Sequence, residues 1–315
     1  MDARARIDAI EALIHQDVGR HTAPLFAAAR GGLWRAASAL ATTQAPRVGL
    51  ITGFYVPLGR PPAAETDGPA GAALLARFLT RVGVACRVLT DAPCASACRA
   101  ALDAAGLADA PLDVASVDAD PDVAVARWRG FGIGWAVAIE RCGPAADGRP
   151  RNMRGQEVAA WTAPLDRVFC AGPWRTIGIA DGGNELGMGS LPAGLVAEAV
   201  PFGESIACVT PADHLVMAGV SHWGAYAMIA ALGVLRPAWR QMAVETLDTA
   251  VDQGIVEALV LLGPAVDGVT LDQTVTIDGL DMATHGQKLA AVRAAVETSK
   301  MNLGEATGWN RGQGG

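Results

Sequence analysis

Residues 48–52 read Val-Gly-Leu-Ile-Thr, a run without charge that leads into Gly53-Phe54-Tyr55. A short, continuous apolar run ending at turn residues is the pattern of a strand buried on both faces. The pattern recurs downstream as CRVLT (86–90), WAVAI (135–139), TIGIA (176–180) and SIACV (205–209), and more weakly at Leu112–Val117 and Arg167–Ala171. Helical stretches stand between these runs. They are Pro69–Val82 with Asp67 as its N-cap, Cys94–Ala105, Pro121–Phe131, Gly183–Val200 (at least beyond Pro192) and Ser221–Leu235. A helix starting at Pro237 and a helical stretch Val244–Leu262 come next. Gln273–Asp278 reads as a further strand and Met282–Ser299 as the last helix.

Short strands alternating with longer helices predict an α/β fold, a mostly parallel, Rossmann-like three-layer sheet. Ahead of it, Ile7, Ile10, Leu13 and Ile14 fall at helical spacing, with a second helix near Gly32–Thr42, so residues 1–43 form an N-terminal helical extension. The Gly-rich stretch 304–315 reads as a loose tail. No repeat, low-complexity block or linker divides the chain, and one domain is expected over residues 1–315.

Composition narrows the function classes. Of 315 residues, 51% are hydrophobic and 18% charged, enough for a large core and unlike a disordered chain. Lys and Arg total 25 against 32 Asp and Glu, a net charge of −7, which lacks the basic footprint of a nucleic-acid binder. Lysine occurs only at Lys288 and Lys300, leaving almost no candidate for pyridoxal phosphate chemistry or a lysine-dependent nucleotide loop. Gly130–Gly134 precedes a strand instead of following one, so it is no dinucleotide fingerprint. The six cysteines form no C-x-x-C pair and read as free thiols of a reducing compartment. The first residues lack the apolar run of a secretory signal, so a cytoplasmic protein is expected. Val216–Leu235 is long enough to span a bilayer but starts strand-like and breaks at Gly219–Ser221, which favours a buried turn and core helix.

If the strands are parallel, the residues just after each run share one carboxyl edge, where open α/β sheets bind ligands. Those residues are Thr52 and Gly53, Asp91, Glu140 and Arg141, Asp181 to Glu185, and Asp213 with His214. The densest segment is ADGGNELGMGS (180–190), where Asp181, Asn184 and Glu185 offer hard oxygen ligands suited to Mg²⁺ or Mn²⁺. A solvated Gly-rich turn capped by Asp181 reads the same residues equally well. In PPAAETDGPAG (61–71), Glu65 and Asp67 are each a candidate base or ligand, and Asp67 taken alone reads as a plain N-cap. Arg141, Arg149, Arg151 and Arg154 share one polar loop, and arginine forks bind carboxylates. Of the five histidines none has zinc-site spacing. His214, after Asp213, is the best acid/base candidate. There is no G-x-S-x-G elbow.

At these segments a resemblance enters. TGFYVP, PPAAETDGP, ERCGPAADGRPRNMRGQ, the stretch from TAPLDRVFC through DGGNELGMGSLP to SHWGAYA, and VTIDGL together resemble the D-glutamate cyclase family, over about Val48 to Leu280. The family usually has Gly where this chain has Ala180. The domain that precedes this one in mitochondrial members is not expected here. The resemblance implies an intramolecular dehydration, D-glutamate closing to 5-oxo-D-proline, aided by a divalent cation. It implies no residue-level mechanism.

That chemistry, set against the residues, gives these expectations. Asp181 and Glu185, with Asn184 or Asp213, would hold the metal. His214 or a carboxylate such as Glu65 would take the ammonium proton. Arg141, Arg154 and Arg175 are candidates to clamp the α-carboxylate, with Thr52, Gly53 and Asp67 lining the substrate site. Another amino-dicarboxylate, a cyclic imide or lactam, or a sugar phosphate on the arginine loop are alternatives on the same scaffold, as is a non-catalytic anion- or amino-acid-binding module. The expected partner is a small molecule. The apolar content is compatible with a homodimer, but no seam is readable.

Overall fold

The computed structural model describes residues 2–297; the expected loose tail and the end of the last helix lie outside the described residues. Six strands form the central sheet: β1 (Arg47–Thr52), β2 (Ala85–Asp91), β3 (Leu112–Ala115), β4 (Trp135–Ile139), β5 (Arg175–Ala180) and β6 (His214–Met217). Their order is β3-β2-β1-β4-β5-β6, and every neighbouring pair is parallel. The winding direction reverses between β1 and β4, where Val48 pairs with Trp135 and Thr52 with Ile139. Such a reversal opens a crevice outside the carboxyl ends of the two strands.

Period-two alternation sorts the strand residues onto two faces. Val48, Leu50, Val88, Val137, Ile139, Ile177, Ile179 and Val216 join one buried cluster with Leu74, Leu75 and Phe78 of the helix Asp67–Arg81. Ile51, Leu89, Ala136, Ala138 and Met217 join the other, with Trp128 of the helix Pro121–Phe131 and Phe169. The N-terminal helices Ala3–Ile14 and Gly32–Thr42 pack on the first face, through Ile7, Ile10, Ile14, Leu33 and Leu40.

The helix Ser221–Leu235 lies inside that first face and is buried from Ser221 to Val234. It packs against the helices Asp67–Arg81, Met282–Glu297, Ala3–Ile14, Gly32–Thr42 and Arg240–Thr246. A helix covered by protein all round is apolar all round, which explains its membrane-like sequence. Among the described residues no helix is long and apolar enough to cross a membrane.

Several elements differ from the sequence expectation. Arg167–Ala171 belongs to a helix, Leu165–Ala171. Ser205–Val209 is not a strand. A short helical turn, Gly203–Ile206, precedes an irregular stretch whose Cys208 and Val209 N–H groups bond Gly183 O and Pro144 O. The strand on that side of β5 is β6, His214–Met217, at the head of the long apolar run. Gly183–Val200 is helical only over Leu195–Ala199. Val244–Leu262 is split at Leu247–Asp248, where Asp248 caps the helix Thr249–Leu261. Of Gln273–Asp278 only Thr276–Ile277 is extended.

Candidate active site

The carboxyl ends of β4, β5 and β6 put Glu140, Asp181 and the start of the helix Ser221–Leu235 side by side. The first N–H groups of any helix lack intrahelical acceptors and carry the positive end of its dipole. Here carboxylates satisfy them. Ser221 N–H donates to Asp181 Oδ2 (2.8 Å) and Asp67 Oδ2 (3.1 Å), and His222 N–H to Asp67 Oδ1 (2.6 Å). Ser221 Oγ donates to Glu140 Oε2 at 2.6 Å. Asp67 therefore caps a helix 154 residues away and not its own, whose N-cap Thr66 makes no side-chain capping bond. Glu185 closes the Asp181 loop on itself, accepting N–H bonds from Asp181 (3.1 Å), Gly182 (2.7 Å) and Gly183 (2.7 Å).

Six acids thus crowd one buried region: Glu65, Asp67, Glu140, Asp181, Glu185 and Asp278. Burial, and then repulsion from Asp278 and Asp181, pushes the Asp67 carboxyl well up. Burial and repulsion from Glu185 and Asp67 do the same to Glu140. Asp181 is also raised well above the usual range by burial, despite the counter-pull of Arg20. Burial and the charge of Asp278 push Glu65 up to about 8. Shifts of this kind, in a cleft, mark a candidate functional site.

A cavity of about 220 Å³ opens onto this region, below the roughly 300–1,000 Å³ of drug-sized pockets. Glu65, Glu140 and Asp181 supply its acids, Arg20 and Arg154 its cations, and Phe54, Val56, Met153 and Val269 its apolar wall. Asn152 and Asn184 also line it. Arg154 is steadied by the carbonyls of Gly268 (3.0 Å) and Val269 (3.1 Å). Gly268 packs so close that a Cβ there would lie 1.7 Å from Glu65 Oε1. Arg20 Nη1 lies 3.1 Å from Asp181 Oδ1, and its Nη2 pairs with Asp278. A second cavity of about 350 Å³, beside Leu89, Val114 and Leu165, touches none of the candidate residues read from the sequence.

Two carboxylate triplets, Glu140–Asp181–Glu185 and Asp67–Asp181–Asp278, each have one oxygen per residue within 4.8 Å of the others. Asn184 Oδ1 and Asp278 Oδ2 are buried without a hydrogen-bond partner. Clustered hard oxygen donors, outnumbering the one arginine paired with them, and orphaned acceptors fit a divalent cation of the Mg²⁺ or Mn²⁺ type.

The structure brings together Glu65, Asp67, Arg154, Asp181, Asn184 and Glu185 and leaves other sequence candidates apart. Arg141 is fully buried and bonded to Asp91 Oδ2 (2.6 Å), Gly53 O (2.8 Å) and Ala163 O (2.7 Å), a strut that ties loops together beneath the site. Thr52 and Gly53 belong to that layer: the Gly53 carbonyl serves Arg141, and Thr52 Oγ1 is buried next to Gly68. Asp213, His214 and Arg175 sit at the opposite, amino edge, because His214 begins a strand instead of following one. There Asp213 Oδ2 accepts from Thr176 N–H (2.7 Å), and Arg175 Nη2 is 2.9 Å from His214 Nε2. Arg149 and Arg151 pair with Glu157 and Asp147, and Arg154 is the arginine of that loop that lines the cavity.

Sequence reasoning misses Arg20, Ser221 and Asp278 as site residues. Ser221, opening a helix just after a strand, carries the signal of a helix-start site. Asp278 ends the VTID segment, while nothing local distinguishes Arg20.

A family model described as "D-glutamate cyclase-like, C-terminal" matches residues 10–293. The chain belongs to the D-glutamate cyclase-like family. Among curated proteins, "D-glutamate cyclase, mitochondrial" of Homo sapiens is 32% identical over 217 residues, 63% of this chain. That alignment spans only 34% of the human protein's length. The family match takes in both sides of the cavity, from the Arg20 loop to Asp278.

Proposed function

We propose that this cavity closes D-glutamate to 5-oxo-D-proline with loss of water. One observation carries the reading: a cavity of amino-acid size, at the switch point of the sheet, sets buried carboxyls against two arginines in a member of this family. An α-amino dicarboxylate has the complementary charges, an ammonium for the acids and carboxylates for the cations.

Ring closure forms one N–C bond and breaks one C–O bond. The ammonium gives up two protons, and the departing oxygen takes both away as water. Glu65, with a pKa of about 8, exchanges protons readily near neutral pH, which suits it to accept one from the ammonium and return it to the oxygen. Arg154, at the rim, suits the α-carboxylate. Phe54, Val56, Met153 and Val269 press on the substrate's methylenes and favour the folded chain that brings nitrogen to the distant carbon. Glu140, Asp181 and Glu185 would hold a divalent cation, which when bound supplies Lewis-acid neutralisation of carboxylate charge.

The test is chiral chromatography of D- and L-glutamate incubated with chelator-stripped protein, with and without Mn²⁺ or Mg²⁺. Product from the D-isomer alone, raised by metal, supports the proposal. Folded protein that makes no product from either isomer contradicts it, and turnover indifferent to metal removes the cation from it.

A further inference from the structure

The loop 15–22, between the first two helices, contributes no strand to the sheet, yet it is built to deliver one side chain. Asp17 Oδ1 accepts N–H bonds from Gly19 (2.9 Å), Arg20 (2.8 Å) and His21 (3.1 Å), winding the loop around a single oxygen. The chain leading into it is fastened to the turn after β6: Gly219 N–H donates to Ile14 O at 2.8 Å. A Cβ at Gly219 would lie 1.9 Å from Gln16 O, so only glycine lets the two backbones meet this closely. Arg20 emerges from this clasp with 15% of its side chain exposed and reaches the cavity wall.

Its donors are not used alike. Nη1 donates to Gly219 O (3.1 Å) and faces Asp181, and Nη2 pairs with Asp278. Nε–H has no partner among the described residues. A guanidinium carries five N–H donors in a fixed fork, so this one, pinned through both Nη groups, keeps Nε–H unengaged in a side chain that lines the cavity. Arg154, the other cavity cation, is held by exposed carbonyls at the rim. Arg20 lies deeper, beside Asp181.

We infer that Arg20 is a catalytic residue: it receives the substrate carboxylate that is attacked and neutralises it while the C–O bond breaks. This rests on the ring-closure reading. The nitrogen adds to the carboxylate carbon, and Arg20 hydrogen-bonds the oxygen that stays as the lactam carbonyl. The other oxygen leaves as water with the two protons from nitrogen. Arg20 keeps its own protons throughout, since a guanidinium does not deprotonate in proteins. The N-terminal arm is thereby part of the active site.

The experiment compares wild type with Arg20→Lys, which keeps a cation beside Asp181 and Asp278 but lacks the fork, and with Arg20→Ala. For D-glutamate the Lys variant should fold and lose about 10²-fold in kcat. Added guanidinium ion should restore turnover to the Ala variant and not to the Lys variant. An Arg20→Lys variant within about threefold of wild-type kcat overturns the inference while leaving the ring closure standing. If wild type turns over neither isomer, the ring-closure reading falls, and calorimetric binding decides for Arg20. Wild type should then bind D-glutamate more tightly than D-2-aminobutyrate, which lacks the second carboxylate, and Arg20→Lys should lose that preference. Retention of the preference, or no wild-type binding of either, overturns the inference.

Discussion

At the amino edge of the sheet, Asp213 accepts from Thr176, Arg175 lies 4.7 Å over the Trp135 ring, and His214 stacks on the same ring at 6.1 Å. Asp213 and Arg175 are exposed, and His214, half-buried, keeps its Nδ1 without a partner. At the carboxyl edge, Glu65, Asp67, Glu140 and Asp181 are buried against one another, held by the N–H groups of one helix and by Arg20. Polar residues at the first edge finish strand ends close to solvent, which accommodates charge at little cost. Those at the second oppose folding, since burying like charges together is unfavourable. Such a cluster, lining a cleft, marks a candidate binding site.

The buried arginines sharpen the contrast. Arg141 under the carboxyl edge serves the fold, so Arg141→Met should strand Asp91 in the interior and lower stability by about 3–5 kcal/mol in urea denaturation. A loss too small to measure would detach Arg141 from that role. Next in size is Gly268→Ala, which drives a methyl group into the Glu65 carboxyl. Displacement by about 1 Å should lower kcat/KM by up to about 10²-fold. Gly254→Ala, with open space around it, is the control and should leave kcat/KM unchanged.

A third prediction concerns pH. Glu65 has its pKa raised from 4.5 to about 8 by burial and by Asp278, with Asp267 and Glu185 also raising it and Arg20 opposing them. The folded state therefore binds its proton more tightly than the unfolded one. The resulting stabilisation is full below pH 4.5 and is lost as pH rises through about 8. Glu65→Gln should flatten that part of the fall in thermal midpoint between pH 5 and 8. An unchanged slope would show that Glu65 does not titrate there. The smallest effect is expected at the amino edge, where Asp213→Asn should change stability by less than about 1 kcal/mol and leave KM unaltered.

Most of the sheet is legible in the chain because its strands are short apolar runs ending at turn residues: VGLIT, WAVAI and TIGIA all lie in strands. The failure at SIACV shows the limit, since a five-residue apolar run can equally bridge two loops. The true strand, HLVM, is hidden because it runs into a helix buried on every side, with no polar face between them to mark the change. That one shift moves Asp213 and His214 from one edge of the sheet to the other. Asp181, Glu185 and Glu65 are readable from their positions after strands or in loops. Asp67 is readable as a cap, although sequence cannot say which helix it caps. Arg20 meets Asp278 across 258 positions, and no local pattern encodes such a meeting.

The most direct measurement is kcat/KM for D-glutamate cyclisation in Asp181→Asn and His214→Ala, both confirmed folded. With the chemistry at the carboxyl edge, the first should fall about 10²–10⁴-fold and the second change within about threefold. Full activity in Asp181→Asn, with loss in His214→Ala, would place the chemistry at the other edge of the sheet and contradict it.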